Sequence, residues 1–421
     1  MKPDEMKMIR DPLYGDIFVS CSDVRLIDTD AIQRLKGVSQ LGTLQWVYPG
    51  AAHTRFEHSI GVLYLSTTIA RQLLPRDEYD GIRDLLSAAA LFHDSGHAPF
   101  SHALEEFELP IEQHEERSIK LVRKTIESMN DMEISGREVG DIIAGKKDYL
   151  SNIVAGTLDA DRLDYLRRDA LHTGVTYGII DTRILSLFKL WNDQLAIDER
   201  AIIPGETVLF ARYVMRAVVY DHKVSRSVGG MLIKAIECAL EADNDNGNPI
   251  SRKELVSLKD VDLLSRLKQC GEKSKKIVEK IERRDILKLA GQSNMTQLVD
   301  DGAFGRATDM NKQQRLAWET ELAHELNLEP FEVIIDKPRI DRYFIKEGEI
   351  PIFSRGRSNE SLLDRSELAT KINDAHRSLW ALRLYVPEQQ RSRSRMLFEK
   401  IAKIKLYPPL KSPIKKSYTN W

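Results

Sequence analysis

Histidine side chains are concentrated in one part of this sequence. Ten histidines occur among its 421 residues, and seven of them lie from His53 to His172. Imidazole groups bind divalent transition metals, and a histidine with an ordinary pKa of about 6.5 can transfer protons at neutral pH. This part of the chain is therefore the first candidate for metal-dependent or acid–base chemistry.

Helical periodicity places ionisable groups on apolar faces in the same region. In three segments, apolar residues recur every three or four positions, and one ionisable side chain falls within each repeat. The segments are 58–73 with His58, 82–93 with His93, and 154–165 with Asp161. Burying such a group is unfavourable unless it is paired, hydrogen-bonded or bound to a cation. We therefore expect three helices to bring these groups together around a metal.

The predicted metal set contains two imidazoles and two carboxylates. Asp94, which directly follows His93, joins His58 and Asp161 as its fourth member. Such a set suits a divalent first-row transition metal and leaves coordination positions for water and a phosphate oxygen.

A second group of polar residues follows the predicted ligands. His97, His102 and His114 could donate protons or contact phosphate, and Glu105 could fix the tautomer of a neighbouring histidine. His102 and Glu105 could equally form an ordinary i, i+3 pair on a helix surface.

Two arginines lie beside the predicted ligands. Arg55 precedes His58 by three residues, and Arg162 follows Asp161. Arginine suits bidentate contacts to phosphate. Each arginine could instead be the structural partner of an acid, because acids are plentiful in DADRLDYLRRD (159–169).

Taken in order, the motifs resemble those of the HD-domain metal-dependent phosphohydrolases, and more narrowly the deoxynucleoside triphosphate triphosphohydrolases. The motifs are DPLYGDI (11–17), IDTDAIQRLKGVSQLG (27–42), YPGAAHTRFEHSIGV (48–62), LFHDSGHAPFSH (91–102), HEERS (114–118), DADRLDYLRRDALHTGV (159–175) and RAVVYDHKV (216–224). They cover the first 230 or so residues densely. The all-α core of that family agrees with the helical segments.

The resemblance implies a complete active site for hydrolysis at the α-phosphorus, with a 2′-deoxynucleoside and inorganic triphosphate as products. It assigns metal ligands to His58, His93, Asp94 and Asp161, catalytic roles to His97, Glu105 and His114, and substrate contacts to Gln40, Leu41, Arg55, Arg162, Tyr165, Asp169, Arg212, Arg216 and Tyr220. The divalent metal could be Mn, Fe, Co, Ni, Zn or Mg. Guanine preference is one option for the base.

Three positions depart from the pattern of that family. Glu105 stands where related proteins carry Asp, and Arg162 stands where a phosphate-binding lysine is common. Arg216 replaces a histidine of better-known relatives, which leaves the sugar or base contacts there open.

Some members of the family are tetramers activated by nucleotides at subunit interfaces. Asp28 and Gln33 match positions that recognise a guanine activator, whereas Lys36 stands where an arginine would be and Arg10 replaces a smaller polar residue. The resemblance thus implies a homo-oligomer, dimer or tetramer, and a nucleotide activator is one alternative.

The fold class predicted from these patterns is mainly α, with an HD-domain helical core, a small β hairpin and a C-terminal α+β appendage. The expected parts are a core at 1–241, an appendage at 250–390 that would carry oligomer contacts, and a basic tail at 391–421. Within them we expect a hairpin at 195–203, a long helix at 206–241, a linker at 242–249, β-prone runs at 331–353, helix at 253–290 and 359–384, and an extended tail.

The amino-acid composition narrows the classes of protein to which this sequence could belong. The net charge of −2 hides an uneven distribution, since 391–421 holds nine Lys and Arg against one acid. Three scattered cysteines give no disulfide framework or thiolate zinc site, and no apolar window approaches a membrane span, so a cytoplasmic protein without a membrane is expected. Alternatives to a dNTP hydrolase are another HD phosphohydrolase, acting on a nucleoside monophosphate, an alarmone or a cyclic dinucleotide, or a regulator that binds nucleotides or nucleic acid through its basic tail.

Overall fold

The protein is mainly α-helical, which confirms the predicted fold class. The computed structural model describes residues 6–106, 109, 111–129, 132–242, 248–298, 302–343, 347–354 and 360–409, without the side chains of His102, Glu105, Glu106, Asp148 and Glu347. Its helices are α1 (Cys21–Ile27), α2 (Asp30–Arg34), α3 (Arg55–Leu73), α4 (Arg76–Phe92), α5 (Ser101–Glu106), α6 (His114–Glu127), α7 (Gly136–Ile143), α8 (Asp148–Ala155), α9 (Ala160–Thr173), α10 (Ile202–Met215), α11 (Lys223–Glu241), α12 (Arg252–Ser257), α13 (Asp260–Leu267), α14 (Glu272–Glu282), α15 (Ala303–Thr308), α16 (Lys312–Leu326), α17 (Leu362–Arg365), α18 (Glu367–Arg377) and α19 (Arg391–Ala402). Its strands are β1 (Lys7–Asp11), β2 (Gly15–Val19), β3 (Phe188–Trp191), β4 (Gln194–Asp198), β5 (Lys288–Asn294), β6 (Ile334–Asp336), β7 (Ile352–Phe353) and β8 (Ala381–Val386).

Small sheets accompany the helices. β1 and β2 form an antiparallel hairpin in which Lys7 pairs with Val19. β3 and β4 form a second hairpin, and β7 adds to it in parallel with β4. In a third sheet, β8 lies between β5 and β6 and is antiparallel to both. Every residue of β8 is buried, so this strand is the centre of the C-terminal part.

Apolar clusters hold the two predicted parts together. The first cluster packs α3, α4, α9 and α10, and it also contains residues of the appendage such as Ile350 and Ile372. A second surrounds α11 and α14, and a third joins β8 to α16 and α19. The predicted core and the predicted appendage therefore share packing, and the domain boundary at 242 stays a prediction. Residues 243–247 of the expected linker lie outside the described residues.

The predicted helix at 154–165 is interrupted. α8 ends at Ala155 and α9 begins at Ala160, with Gly156 in the gap between them. Asp159 caps α9 by accepting a hydrogen bond from the backbone N–H of Arg162. Aspartate is a favoured N-cap, so its chemistry outweighs a continuous apolar repeat.

The predicted boundaries of two further elements, a hairpin and a helix, are wrong. The hairpin predicted at 195–203 lies at 188–198, because Asn192 and Asp193 adopt positive φ angles of 50° and 57° that suit a tight turn. The helix predicted at 206–241 breaks after α10 into a π-helical turn at 216–220, and α11 starts afresh where the His222 side chain accepts a hydrogen bond from Val224 N–H.

The C-terminal predictions also need correction. Residues 381–384 of the expected helix form part of strand β8. The start of the basic tail is not extended, since α19 packs Phe398 and Ala402 into the third cluster. Residues 410–421 lie outside the described residues. No helix among the described residues is long and apolar enough to span a bilayer.

Candidate metal and nucleotide site

His58, His93 and Asp161 meet at one point, although three helices carry them. The Nε2 atom of His58 lies 3.0 Å from Oδ1 of Asp161, and Nε2 of His93 lies 3.8 Å from the same oxygen. The two rings are edge to face, with centroids 5.3 Å apart. Helical periodicity alone therefore anticipated this convergence.

The three side chains fit a divalent cation. Their ligand atoms all lie within 4.8 Å of one another. Both Nε2 atoms are buried, and neither makes a hydrogen bond of normal geometry within the described part of the chain. Burial lowers the pKa of His58, but Asp161 and Asp164 outweigh it and raise this pKa to about 10. The cluster thus favours a positive charge between the rings and the carboxylate, as a first-row transition metal would provide.

Asp94 lies between this cluster and a second one. Its Oδ1 atom is 3.4 Å from Nε2 of His93 and 3.3 Å from Nε2 of His97. Asp94, His97 and His114 also bring ligand atoms within 4.8 Å of one another, and the His97 and His114 rings stack 3.8 Å apart. Burial lowers the pKa of His97 to about 4, with help from Arg55 and His114. The side chain of Glu105, the predicted partner of His97, lies outside the described residues.

In both imidazoles of the first cluster, the Nδ1 atom lies within hydrogen-bonding distance of an acceptor oxygen. His93 Nδ1 lies 2.8 Å from the carbonyl oxygen of Ala90, one turn earlier in α4. His58 Nδ1 lies 2.8 Å from Oδ2 of Asp164, on α9. Each Nδ1 therefore donates a hydrogen bond, and Nε2 is the atom of each ring that would bind a metal.

A cavity of about 380 Å³ adjoins the cluster. It contains every predicted substrate contact, together with Arg55, Asp94, His97, His114 and Asp161. Six arginines and four aspartates line it among the described residues, so its charge suits an anion. Residues predicted to contact metal, phosphate and sugar thus line one cavity.

Comparison with known proteins places this arrangement in a family. Residues 55–169 match the HD domain, and residues 180–411 match the HD associated region, which alone covers more than half of the chain. The chain belongs to the HD-domain phosphohydrolases. This confirms the family that the motifs suggested.

Several HD-domain relatives extend the match. An uncharacterized protein of Methanocaldococcus jannaschii, MJ1154, is 29% identical over 91% of this chain and 80% of its own length. A deoxynucleoside triphosphate triphosphohydrolase SAMHD1 homolog of Dictyostelium discoideum is 30% identical over 68% of this chain. The chain spans only 60% of that relative, and 45% of human SAMHD1, to which it is 30% identical.

Solved structures agree on the fold. A phosphohydrolase from Bacteroides thetaiotaomicron superimposes with a TM-score of 0.70 at 26% identity, covering 91% of this chain and all of that one. A hypothetical protein from Aquifex aeolicus gives 0.71 at 28% identity, covering 93% and 99%.

The predicted phosphate contacts of the HD domain are partly neutralised. Arg55 pairs with Asp94 and also donates to Ser101 Oγ at 3.0 Å. Arg162 pairs with the buried carboxylate of Asp159. Both arginines thus have an acidic partner, and both also line the cavity, so either role of each stays a prediction.

The predicted sugar contacts form a connected set. Asp169 accepts hydrogen bonds from the hydroxyl of Tyr220 at 2.8 Å and from Nε2 of His53 at 2.9 Å. The His53 ring stacks on His172 with centroids 4.3 Å apart, which gives both histidines a supporting position. The side-chain oxygen of Gln40 is buried without a hydrogen bond among the described residues, so a ligand could use it.

At the far end of the cavity, defined here by Arg216, Tyr220, Asp221 and Arg342, the π-helical turn and the appendage both contribute lining residues. Arg216 lies over the rings of Tyr220 and Tyr343, at 5.8 and 5.2 Å. Its guanidinium is 3.6 Å from Oδ1 of Asp221, whose other oxygen accepts a hydrogen bond from Tyr343 at 2.7 Å. Arg342 of the appendage also lines this end. A π-helical turn is a common feature of functional sites.

The predicted activator positions lie outside this cavity. Asp28 and Lys36 are exposed, and Gln33 is half-buried. Lys36 donates to the Gln33 side chain at 2.7 Å, and Gln33 donates to the Ile27 carbonyl at 2.9 Å. These residues share one surface around α1 and α2, and no comparison tests their role.

Sequence reasoning missed several residues of the site. Asp164 orients His58, and Asp221, Arg226 and Arg342 line the cavity. Asp164 follows Asp161 by three residues, so helical spacing placed both on one face of α9 and could have revealed it. Arg342 comes from a distant segment and left no local signal.

Proposed function

We propose that this HD-domain protein hydrolyses deoxynucleoside triphosphates to 2′-deoxynucleosides and inorganic triphosphate. The observation that carries the proposal is a single cavity lined by Asp94 and Asp161 of the predicted metal set, by arginines and by the Tyr165, Asp169 and Tyr220 side chains. Relatives named deoxynucleoside triphosphate triphosphohydrolase support it. Those relatives are longer than this chain, so the activity of the whole protein is part of the proposal.

Metal binding would use the first cluster and Asp94. When bound there, a divalent cation supplies Lewis acidity toward a phosphate oxygen and activates water. Arg212, half-buried and beside Tyr165, would offset the charge of the phosphates together with Arg162. His97 would orient the attacking water or the leaving 5′-oxygen, with His114 stacked against it.

Discrimination against ribonucleotides would come from the sugar contacts. Tyr165 and Tyr220 would pack on the deoxyribose, and Asp169 would accept a hydrogen bond from the 3′-hydroxyl. Close packing of Tyr165 leaves little room for a 2′-hydroxyl, which would also lack a hydrogen-bonding partner there.

Product analysis tests the proposal directly. The protein is loaded in turn with Mn²⁺, Fe²⁺, Co²⁺ and Mg²⁺ and incubated with each dNTP, NTP, dNMP and ppGpp, and the products are separated by anion exchange. Inorganic triphosphate from dNTPs is the expected product. Orthophosphate or pyrophosphate as the only phosphate product would overturn the proposal. Inactivity with every metal, together with tight salt-sensitive oligonucleotide binding, would instead favour a regulator.

We further propose a guanine preference, based on the paired charges at the far end of the cavity. Guanine offers N–H donors at N1 and N2 beside acceptors at O6 and N7, so it can satisfy both Asp221 and Arg216. Adenine, in contrast to guanine, would direct the lone pair of its N1 atom toward the Asp221 carboxylate.

The preference is tested by the ratio of kcat/KM for dGTP to that for dATP. We expect Asp221→Asn to lower this ratio about tenfold, since one bidentate base contact discriminates by roughly 1–3 kcal/mol. Tyr343→Phe is the matched control, because it removes the hydroxyl that contacts Asp221 and keeps the carboxylate. If the wild type and Asp221→Asn gave equal ratios, the proposed guanine preference would be wrong. The proposed hydrolysis of dNTPs would be unaffected by that result.

A further inference from the structure

The N-terminal hairpin reaches the metal cluster through buried polar contacts. The DPLYGDI motif spans its turn, and nothing in the proposed reaction uses that motif. Two of its side chains, Asp11 and Tyr14, lie against α9 on the side of Asp164. The contacts lead from this turn to the imidazole of His58.

Asp164 is the carboxylate at the centre of these contacts. Its Oδ2 atom accepts hydrogen bonds from His58 Nδ1 and Arg168 Nε, both at 2.8 Å. Its Oδ1 atom accepts from the Tyr14 hydroxyl and from a second Arg168 nitrogen, also at 2.8 Å. Asp164 is fully buried. With two donors on each oxygen, this carboxylate is fixed in orientation and must be an acceptor for His58.

Arg168 connects the same carboxylate to the hairpin. Its guanidinium is fully buried and donates to Oδ2 of Asp11 at 2.9 Å. The other oxygen of Asp11 accepts the backbone N–H groups of Leu13 and Tyr14, which fixes the turn. A Cβ atom at Gly61 of α3 would overlap Asp164 and Arg168, so glycine there leaves room for both.

The two imidazoles of the cluster are held in different ways. His93 Nδ1 bonds to a backbone carbonyl of its own helix, which no side-chain change can remove. His58 depends on a carboxylate from another helix, and that carboxylate depends on the hairpin. Partners of this kind set the tautomer and ring orientation of a metal-binding histidine.

We propose that Asp11 and Tyr14 of the hairpin are positioning residues of the metal centre, acting through Arg168 and Asp164 to hold His58 Nε2 toward the cation. This inference rests on the metal site of the proposed function. It assigns a physical role to the DPLYGDI motif, which precedes the matched HD domain in the sequence.

Metal affinity of the full chain tests the inference. Mn²⁺ dissociation constants are measured by competition with a chelator, and Co²⁺ absorption spectra report the ligand geometry. We expect Asp164→Asn to weaken Mn²⁺ binding about 10- to 100-fold, as for outer partners of metal ligands generally. Tyr14→Phe and Asp11→Asn should weaken it about threefold to tenfold, since each removes one hydrogen bond to a charged group.

Matched controls separate positioning from general stability. Tyr64 stacks on Tyr14 with ring centroids 4.8 Å apart, so Tyr64→Phe should leave the affinity unchanged. Asp16 lies in the same hairpin but pairs with exposed Arg10, so Asp16→Asn should also have no effect. Adding Tyr14→Phe to Asp164→Asn should weaken binding no further than Asp164→Asn alone, because the two residues act along one path.

The outcomes distinguish the two proposals. A wild-type protein that binds neither Mn²⁺ nor Co²⁺ would remove the metal site itself. A wild-type protein that binds metal while Tyr14→Phe and Asp11→Asn retain its affinity and Co²⁺ spectrum would overturn the positioning role. If Asp164→Asn does not fold, these two milder variants decide the question.

Discussion

At the residue scale, the metal cluster depends on a small number of atoms. Asp161 Oδ1 is within 4 Å of both imidazole Nε2 atoms, and Asp94 is a second carboxylate that lies this close to both rings. The charges of His58 and His93 lower the pKa of Asp161 despite its burial. A neutral side chain at position 161 would remove one of the two carboxylate charges that lie beside both Nε2 atoms in the described structure.

Substitution of Asp161 is expected to remove both metal and turnover. Asp161→Ala should abolish tight Mn²⁺ binding and lower kcat by about 10³-fold or more, because the cation supplies several kcal/mol of transition-state stabilisation. Asp77→Ala is the matched control, since Asp77 is also a first-turn helix aspartate but is exposed on α4. Full turnover in Asp161→Ala would refute the ligand assignment.

At the element scale, α18 carries a buried histidine that bonds to the segment containing Tyr343. His376 is fully buried, and its Nδ1 bonds to the Tyr343 carbonyl at 2.9 Å. Burial lowers its pKa to about 4, with Arg212 and Arg216 acting in the same direction and Asp221 and the Tyr343 carbonyl opposing them. The folded protein therefore prefers the neutral ring.

Stability should consequently fall as the medium becomes acidic. The folded pKa of His376 is below the unfolded value of 6.5, so its contribution is complete above pH 6.5 and is lost as the pH falls toward 4. The loss is on the order of 3 kcal/mol. Thermal unfolding midpoints between pH 4 and 7 should vary less in His376→Asn than in the wild type. His324→Asn, at an exposed position on α16, should vary as the wild type does; identical pH profiles in all three proteins would contradict the prediction.

The sequence predicted element types better than element ends. Apolar repeats revealed α3 and α4 and placed His58 and His93 on their buried faces, because packing follows from spacing. The break between α8 and α9 depended on Asp159 as an N-cap, and the break after α10 on His222, which are local hydrogen bonds that an apolar repeat does not encode. Two hydrogen-bonding partners of Asp164, Tyr14 and His58, lie 150 and 106 positions away in the sequence, so sequence spacing could not supply them.

At the scale of the whole molecule, buried ion pairs join the appendage to α11. Lys234 of α11 pairs with Glu319 of α16 at 2.5 Å, and Arg315 contacts both Glu319 and Glu237. All four side chains are at least nine-tenths buried. A network of this kind is sensitive to the loss of any one member, since the remaining charges have no water to solvate them.

Removal of Glu319 is expected to be strongly destabilising. Glu319→Ala leaves Lys234 and Arg315 short of a counter-charge and removes an acceptor from the backbone N–H of Ile335, so stability should fall by about 3–5 kcal/mol. Asp80→Ala, which breaks the exposed pair with Arg76, should leave the thermal midpoint unchanged. Equal midpoints for both variants would show that the buried network contributes little.

Assembly is the second property of the whole molecule to be tested. If the surface formed by Asp28, Gln33 and Lys36 binds a guanine nucleotide, GTP or dGTP should shift gel filtration toward a dimer or tetramer. Lys36→Ala should remove the shift, because it takes away the exposed cation that would meet the phosphates. An unchanged mass together with linear kinetics would exclude nucleotide activation.

The shared first cluster has a consequence for biosynthesis. Ile350, Leu362 and Ile372 pack with residues of α3, α4 and α9, the helices that carry the metal cluster. Chains fold as they emerge from the ribosome, N-terminal parts first. In this protein, the packing of the N-terminal helices is complete only after residues near 372 have been synthesised. We therefore expect the proposed metal site to reach its full affinity only after residues near 372 have been translated.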